Sequence, residues 1–243
     1  MNTESVNPFI FEGDEGGFSL KQEITIISMS LPLGMGKVNC YLVKNHKGFF
    51  LIDTGLPSGE RQLLDVLEKT GCKPGDLQLI ILTHGDPDHI GNVTTLREKF
   101  KVKVAMHKED ANMARSGDMF ANRKKANPIF KMLGPVFMGF GESRRFMPDI
   151  LLIDGDDLRP YGLFAKVISI PGHSKGSIGI LLETGELFVG DLLDSTKVPG
   201  FTSLMDDQIA ANNSMMRLQI ENISTVYPGH GDPFPFSVFK PKS

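Results

Sequence analysis

Apolar and β-branched residues form short runs in the first part of the chain. The runs cover residues 22 to 30, 37 to 45 and 48 to 53, and they are separated by Gly, Pro and an Asn-His-Lys-Gly break. Runs of this length and composition are typical of consecutive short strands. The sequence therefore predicts that the fold begins as a β-meander.

A helical pattern replaces the strand pattern after residue 57. Leu63, Val66 and Leu67 recur at helical spacing, and Gly71 supplies a stop signal. The next apolar run, residues 77 to 82, is continuous, and strands of this kind need cover on both faces. The pattern predicts a helix packed by one face, followed by an inner strand.

The rest of the chain alternates between the same two patterns. Val93, Leu96 and Phe100 predict a second helix, so residues 84 to 89 should form a strand-to-helix loop. Later segments predict further strands and one more helix. The strands are expected at 102 to 107, 149 to 153, 163 to 170, 177 to 183, 186 to 191 and 224 to 228, and the helix near 205 to 221.

Composition limits the class of protein. The 243 residues are 40% hydrophobic, enough for one large domain spanning residues 1 to 243. A formal net charge of -3 offers no general attraction for nucleic acid or an anionic membrane, so the expected partner is a small molecule. Cys40 and Cys72 form no CxxC pair and are interpreted as packing residues, and no leader or membrane span is apparent. We expect a cytoplasmic protein.

Four of the six histidines lie in short polar loops that each follow a predicted strand. Imidazole and carboxylate groups clustered in this way suit a divalent transition metal. Glycine next to three of the histidines lets the backbone turn sharply and direct the rings inward. The candidate ligands are His84, His89, His173 and His230, joined by Asp191. His46 and His107 lack such surroundings and are not counted among them.

The motifs around these residues resemble those of the metallo-β-lactamase superfamily. Each motif is weak alone, but five in the expected order are highly specific. They are LIDTG at residues 51 to 55, an HxHxDH-like loop at 84 to 89, GHSxGS around 173 to 177, GD at 190 to 191 and GH at 229 to 230.

The resemblance implies an α+β fold, a four-layer αβ/βα sandwich with a two-metal site at one edge of its sheets. What we call the first position would be formed by His84, Asp86 and His173. The second position would be formed by Asp88, His89 and His230, with Asp191 bridging both ions. Asp53 would orient the loop rather than coordinate a metal.

The sequence departs from the superfamily pattern at Asp86, where most members carry histidine. A carboxylate is a harder ligand than imidazole, which favours iron or manganese over zinc. Flavo-diiron members carry glutamate at the same place, so the analogy is partial. The alternative is that Asp86 simply replaces histidine as a zinc ligand, and zinc remains the first metal to consider.

The resemblance implies a metal-dependent hydrolase, in which metal-activated hydroxide attacks a small ester, lactone, thioester or phosphodiester. Asp88 is the candidate catalytic residue, since it would bind metal and also accept a hydrogen bond from the hydroxide. Two alternatives remain open. One is a di-iron oxidoreductase, suggested by Asp86, and the other is a non-catalytic binding module.

Residues 108 to 148 interrupt the alternating pattern. They carry five of the twelve methionines, five phenylalanines and two basic clusters, at residues 123 to 125 and 144 to 145. The segment predicts an inserted helical cap beside the metal site. Such a cap would suit an amphipathic or anionic substrate, and it is also a candidate homodimer interface. Met-rich stripes are, however, more often ordinary core.

Overall fold

The computed structural model of the chain describes residues 22 to 123 and 141 to 239. Its larger sheet has six strands in sequential order. The first three strands pair antiparallel, and the third to the sixth pair parallel. They are β1 Glu23–Ser30, β2 Lys37–Asn45, β3 Gly48–Ile52, β4 Leu77–Leu82, β5 Lys103–His107 and β6 Ile150–Leu152.

A second sheet of five strands is formed by the later part of the chain, in the order β13-β12-β9-β8-β7. Its strands are β7 Ala165–Ser169, β8 Ile178–Leu182, β9 Glu186–Gly190, β12 Thr225–Pro228 and β13 Phe234–Pro235. Strands β9 and β12 are parallel, and the other pairs are antiparallel. A separate two-stranded ladder joins β10 Leu193–Asp194 to β11 Gly200–Phe201.

The helices of the described residues lie between or after these strands. They are α1 Glu60–Lys69, α2 Pro87–Ile90, α3 Val93–Phe100, α4 Ala111–Ser116 and α5 Gln208–Leu218. Asp207 caps α5, since its side chain accepts hydrogen bonds from the backbone N–H groups of Ile209 and Ala210. None of the described helices has the length and apolar character needed to span a bilayer.

Three hydrophobic clusters define the layers. One packs α1 and α3 against the first sheet, through residues such as Leu63 and Leu96. The second fills the space between the sheets, with Phe50 from β3 and Phe188 from β9. The third packs the second sheet against α5, through Ala211 and Leu218. The layers therefore follow the order helix, sheet, sheet, helix, which confirms the predicted αβ/βα sandwich.

Most predicted elements are observed within a few residues of their expected limits. The exceptions are the two-residue strands β10, β11 and β13, which are too short to give a periodic signal. The predicted loop at residues 84 to 89 is also shorter than expected, because the single-turn helix α2 begins within it at Pro87. Of the predicted cap, α4 and a single 3-10 turn at Glu142–Arg144 are seen. Residues 124 to 140 of that segment lie outside the described residues, so the cap as a whole stays a prediction, as does the single-domain interpretation.

Candidate metal centre

The candidate ligands lie in loops that follow β4, β7, β9 and β12, and the folded sheets bring these loops together at one edge. The backbone N–H of Ile178 donates to the carbonyl of Thr83 over 2.9 Å, which links the two sheets beside the site. Gly229 donates to the carbonyl of Gly190 over 2.8 Å, which links the loops carrying His230 and Asp191. The fold thus brings residues that are far apart along the chain close together in space.

All seven predicted ligands contribute to this cluster. Their nitrogen and oxygen atoms form three groups, and within each group the atoms lie within 4.8 Å of one another. The groups are His84, Asp86 and His173; His84, His89 and Asp191; and Asp88, His89 and His230. The first and third groups have the composition expected for the first and second positions. The middle group shares His84 with the first group and His89 with the third, and it adds Asp191.

Hydrogen bonds at Nδ1 fix the orientation of all four imidazole rings. The Thr83 hydroxyl donates to Asp53 over 2.7 Å and therefore accepts from the ring of His84. Each of the other three rings has a carboxylate or carbonyl acceptor at Nδ1, so Nδ1 carries the proton and Nε2 presents a lone pair. The acceptors are Asp53 Oδ2 at 2.8 Å from His89, Leu204 O at 2.9 Å from His173 and Lys37 O at 2.7 Å from His230.

Asp53 supports the site without entering it. Its two carboxylate oxygens accept from the backbone N–H and the hydroxyl of Thr83, and Oδ2 also accepts from His89. Its backbone has φ +60, a left-handed conformation unusual for a residue other than glycine. These bonds agree with the orienting role predicted for Asp53.

The buried donor atoms fit divalent metal ions. His84 Nε2, His89 Nε2 and Asp191 Oδ1 are buried and find no hydrogen-bond partner among residues 22 to 123 and 141 to 239. His89 Nε2 and Asp191 Oδ1 are only 3.3 Å apart, although both are acceptors in this tautomer. Unpartnered buried acceptors are costly, and a cation shared between them removes that cost. The number and kind of donor atoms suit zinc, iron or manganese.

The titration properties of the cluster show the same demand for positive charge. Burial disfavours the charged form of Asp191, yet His230 and His89 hold the pKa of this carboxyl well below its usual range. Burial also opposes protonation of His230, but Asp191 raises the pKa of that imidazole to about 9. The pKa of His89 is likewise raised against burial, by Asp191 and Asp53. Protons at these rings provide the positive charge that a metal ion would supply.

Glycine is required where the loops approach one another. Gly190 has φ +52, and a Cβ there would lie 2.6 Å from the Thr83 hydroxyl that holds His84. A Cβ at Gly229 would overlap Asp191 Oδ1 and press on the ring of His89. A side chain at either position would therefore push the ligands apart.

Arg123 enters the first position, which the sequence did not predict. Its Nη2 lies 2.8 Å from each carboxylate oxygen of Asp86 and 2.9 Å from His173 Nε2. The side chain is 8% exposed. Burial raises the pKa of Asp86, but Arg123 and His173 outweigh that effect and hold it well below its usual range. The sequence placed the basic cluster at residues 123 to 125 in a cap beside the metal site, but it did not single out Arg123 as a partner of the predicted ligands.

Asp110 is a second buried residue that the sequence did not single out. Its carboxylate accepts from the backbone N–H groups of Gly85 and Gly176, over 3.0 and 2.8 Å, and from the Ser174 hydroxyl over 2.6 Å. It thereby ties the loop carrying His84 to the loop carrying His173. Its only sequence signal is its position shortly after the end of β5, which is weak.

Comparisons with known proteins agree with this geometry. A family model described as the metallo-beta-lactamase superfamily matches residues 33–230. A probable metallo-hydrolase of Methanocaldococcus jannaschii is 29% identical over 200 residues, covering 80% of this chain and 87% of that protein. A hydroxyacylglutathione hydrolase of Haemophilus influenzae is 26% identical over 169 residues, covering 67% and 70%. An uncharacterised protein of Bacillus subtilis is 32% identical, and this chain spans 61% of it.

Solved structures share the fold. A crystal structure in a di-iron-bound form has a TM-score of 0.64 and 28% identity, covering 84% of this chain and 92% of the other. A metallo-beta-lactamase family protein from Thermus thermophilus has a TM-score of 0.66 and 24% identity, covering 87% and 74%. The arrangement of sheets and helices is therefore that of these proteins.

Proposed function

Since the chain belongs to the metallo-beta-lactamase superfamily, we propose that it is a metal-dependent hydrolase whose two-metal centre is held by the seven clustered residues. One observation carries the proposal: four imidazoles and three carboxylates place their ligand atoms in three overlapping groups, and within each group the atoms lie within 4.8 Å of one another. Acceptors gather in such numbers at a buried site only where positive charge balances them, and a pair of divalent ions would supply that charge. The superfamily consists mostly of hydrolases, which supports hydrolysis as the reaction type.

The residues of the site have different roles in the proposed reaction. When bound, divalent ions supply Lewis acidity and lower the pKa of water. Asp88, whose Oδ2 lies 3.6 Å from His230 Nε2, accepts a hydrogen bond from the attacking water and orients it. Asp53 fixes the ring of His89, and Thr83 fixes that of His84. These contacts hold the ligands in place before the substrate arrives.

The site opens toward solvent on the side of the second position. The side chains of His230 and Asp88 are 16% and 10% exposed, whereas those of His84, His89 and His173 are fully buried. The substrate would therefore approach past His230 and Asp88. Burial of the other rings keeps bulk water away from the remaining ligands.

A serine nucleophile is disfavoured. The Ser174 hydroxyl donates to Asp110 over 2.6 Å and lies 2.8 Å from the Ser177 hydroxyl. The hydroxyl is therefore committed to holding the loop and is not presented to a substrate as an activated nucleophile. The nucleophile in the proposed reaction is water.

For the substrate, the proposal covers a small ester, lactone, thioester or phosphodiester. The similarity to a hydroxyacylglutathione hydrolase makes hydroxyacylglutathione one of the first compounds to test. An amphipathic or anionic substrate is proposed from the apolar and basic composition of residues 108 to 148. The proposed setting is the cytoplasm.

A second candidate is an oxidoreductase with two irons. It is favoured by the carboxylate of Asp86, a harder ligand than imidazole, and by the similarity to a structure in a di-iron-bound form. It would require a separate electron donor. The chemistry of the ligands alone accommodates both candidates.

One experiment separates these proposals. The protein is purified without added metal, its metal content is measured, and it is assayed against ester, lactone, thioester and phosphodiester substrates and for oxygen reduction. Bound zinc or manganese with hydrolytic turnover supports the hydrolase. Two irons with oxygen reduction and no hydrolysis supports the oxidoreductase, and a protein that binds no divalent ion contradicts both.

A further inference from the structure

We propose that the Arg123 guanidinium and a metal ion compete for the donors of the first position, so that the two positions fill with unequal affinity. The inference rests on the proposed metal centre, and it concerns a residue of this chain outside the seven ligands. Its basis is the placement of Arg123 Nη2 among Asp86 Oδ1, Asp86 Oδ2 and His173 Nε2.

The guanidinium engages the same lone pairs that a metal ion would need. His173 donates from Nδ1 to the Leu204 carbonyl, so its Nε2 is an acceptor, yet it lies 3.0 Å from Asp86 Oδ2. Two acceptors at that distance repel unless a cation lies between them. Arg123 Nη2 satisfies both. The guanidinium therefore supplies these ligand atoms with the positive charge that a metal ion would otherwise provide.

An ion and the guanidinium cannot share these donors. Metal ligands of this type bind at about 2.0–2.2 Å, and an ion at that distance from Asp86 and His173 would overlap the observed position of Nη2. The two cations would also repel strongly in a buried site. Filling the first position therefore requires the Arg123 side chain to move away.

The chain holds Arg123 where it is found. Asn122 donates from Nδ2 to the Glu109 carbonyl and to Asp110 Oδ1, each over 2.7 Å, and the Arg123 backbone N–H donates to the Phe120 carbonyl over 3.2 Å. Asp110 in turn holds the loops of His84 and His173. The segment bearing the guanidinium is thus fixed to the same residue as two of the ligand loops.

The described residues bring no comparable competitor to the second position. Among residues 22 to 123 and 141 to 239, no Lys or Arg forms an ion pair within 4.0 Å of Asp88 or Asp191; both pair with histidines alone. An ion entering there displaces no Lys or Arg side chain of the described residues. We therefore expect the second position to fill first.

The test measures zinc binding to the metal-free full-length chain by calorimetric titration, with bound zinc counted after dialysis. The variants are R123M, which removes the charge and keeps much of the volume, and R123K, which keeps the charge but loses the planar guanidinium. R115M is the control, because Arg115 is an exposed residue of the same segment. Circular dichroism verifies that each variant is folded.

In the unmodified chain we expect one tightly bound zinc and a second bound at least about tenfold more weakly. R123M should strengthen only the weaker event, by about tenfold or more, R123K should have a smaller effect, and R115M should match the unmodified chain. Two equally tight ions in the unmodified chain, or R123M leaving the weaker event unchanged or weaker still, would overturn the competition but not the metal centre. If no chain bound zinc, the competition would be overturned, and the metal centre would fail as well if iron and manganese did not bind either.

Discussion

The two halves of the candidate metal centre differ in what already satisfies their donor atoms. At the first position Arg123 lies within 2.9 Å of two ligands, whereas the described residues place no Lys or Arg in an ion pair with Asp88 at the second position. The number of ligands is the same in both halves. The difference indicates that the metal affinity of a site depends on more than the number of its ligands. It also depends on which positively charged group the metal ion must displace from them.

The largest effect is expected from Asp191, because it belongs to neither half alone. Its Oδ2 lies 3.2 Å from His230 Nε2 and 3.8 Å from His173 Nε2. Asp191→Ala should weaken zinc binding at both positions by more than the ~100-fold upper range for residues that only orient ligands. Zinc titration checks this. Loss at one position only would show that Asp191 does not bridge.

Replacing one histidine from each half should separate the positions. His230→Ala should abolish the tight zinc-binding event, because His230 belongs to the second position, while His173→Ala should abolish only the weak event. The two variants are compared by calorimetric titration under identical conditions. If both substitutions abolished the same binding event, the assignment of the tight event to the second position and of the weak event to the first would be wrong.

Smaller effects are expected from the residues that orient the ligands. Asp53→Asn should weaken zinc binding by ~10–100-fold, mainly at the second position, because Asp53 bonds the ring of His89. Asp110→Asn should act mainly on the first position, through the loops of Gly85 and Gly176. Zinc titration of both variants shows which position each residue supports. An equal loss of affinity at both positions in either variant would contradict the assignment of that residue to one position.

The smallest effect on metal binding is expected from the core beneath α1. Leu63→Ala creates a cavity at a fully buried position remote from the ligands, and it should lower the free energy of unfolding by about 2–5 kcal/mol. Chemical denaturation measures this loss. The ratio of the two zinc affinities should stay unchanged. A shift in that ratio would mean that a loss of stability is enough to change the relative affinities of the two positions.

Local patterns in the sequence predict much of this arrangement. The continuous run of β4 and the helical spacing of Val93, Leu96 and Phe100 identify a strand and a helix, so the loop between them could be located. His84 and His89 in that loop follow directly. The histidines and Asp191 each come shortly after a strand, and strand ends that share an edge bring them together.

Contacts that depend on packing at long range were not predictable. Arg123 reaches Asp86 across 37 residues and His173 across 50, and nothing in a basic cluster shows which of its members is buried. The partners of Asp110 include backbone N–H groups, whose positions exist only once the loops are folded. The candidate ligands are therefore recognisable from motifs, while the groups that would compete with or orient them depend on tertiary structure.

The most direct test of the metal centre is anomalous diffraction from crystals of the zinc-loaded protein, recorded at the zinc absorption edge. We expect a strong peak within about 2.0–2.2 Å of the donor atoms of Asp88, His89 and His230. A weaker peak is expected between His84 and His173, with Arg123 turned away wherever that peak is occupied. The absence of any anomalous peak among the seven residues would contradict the account.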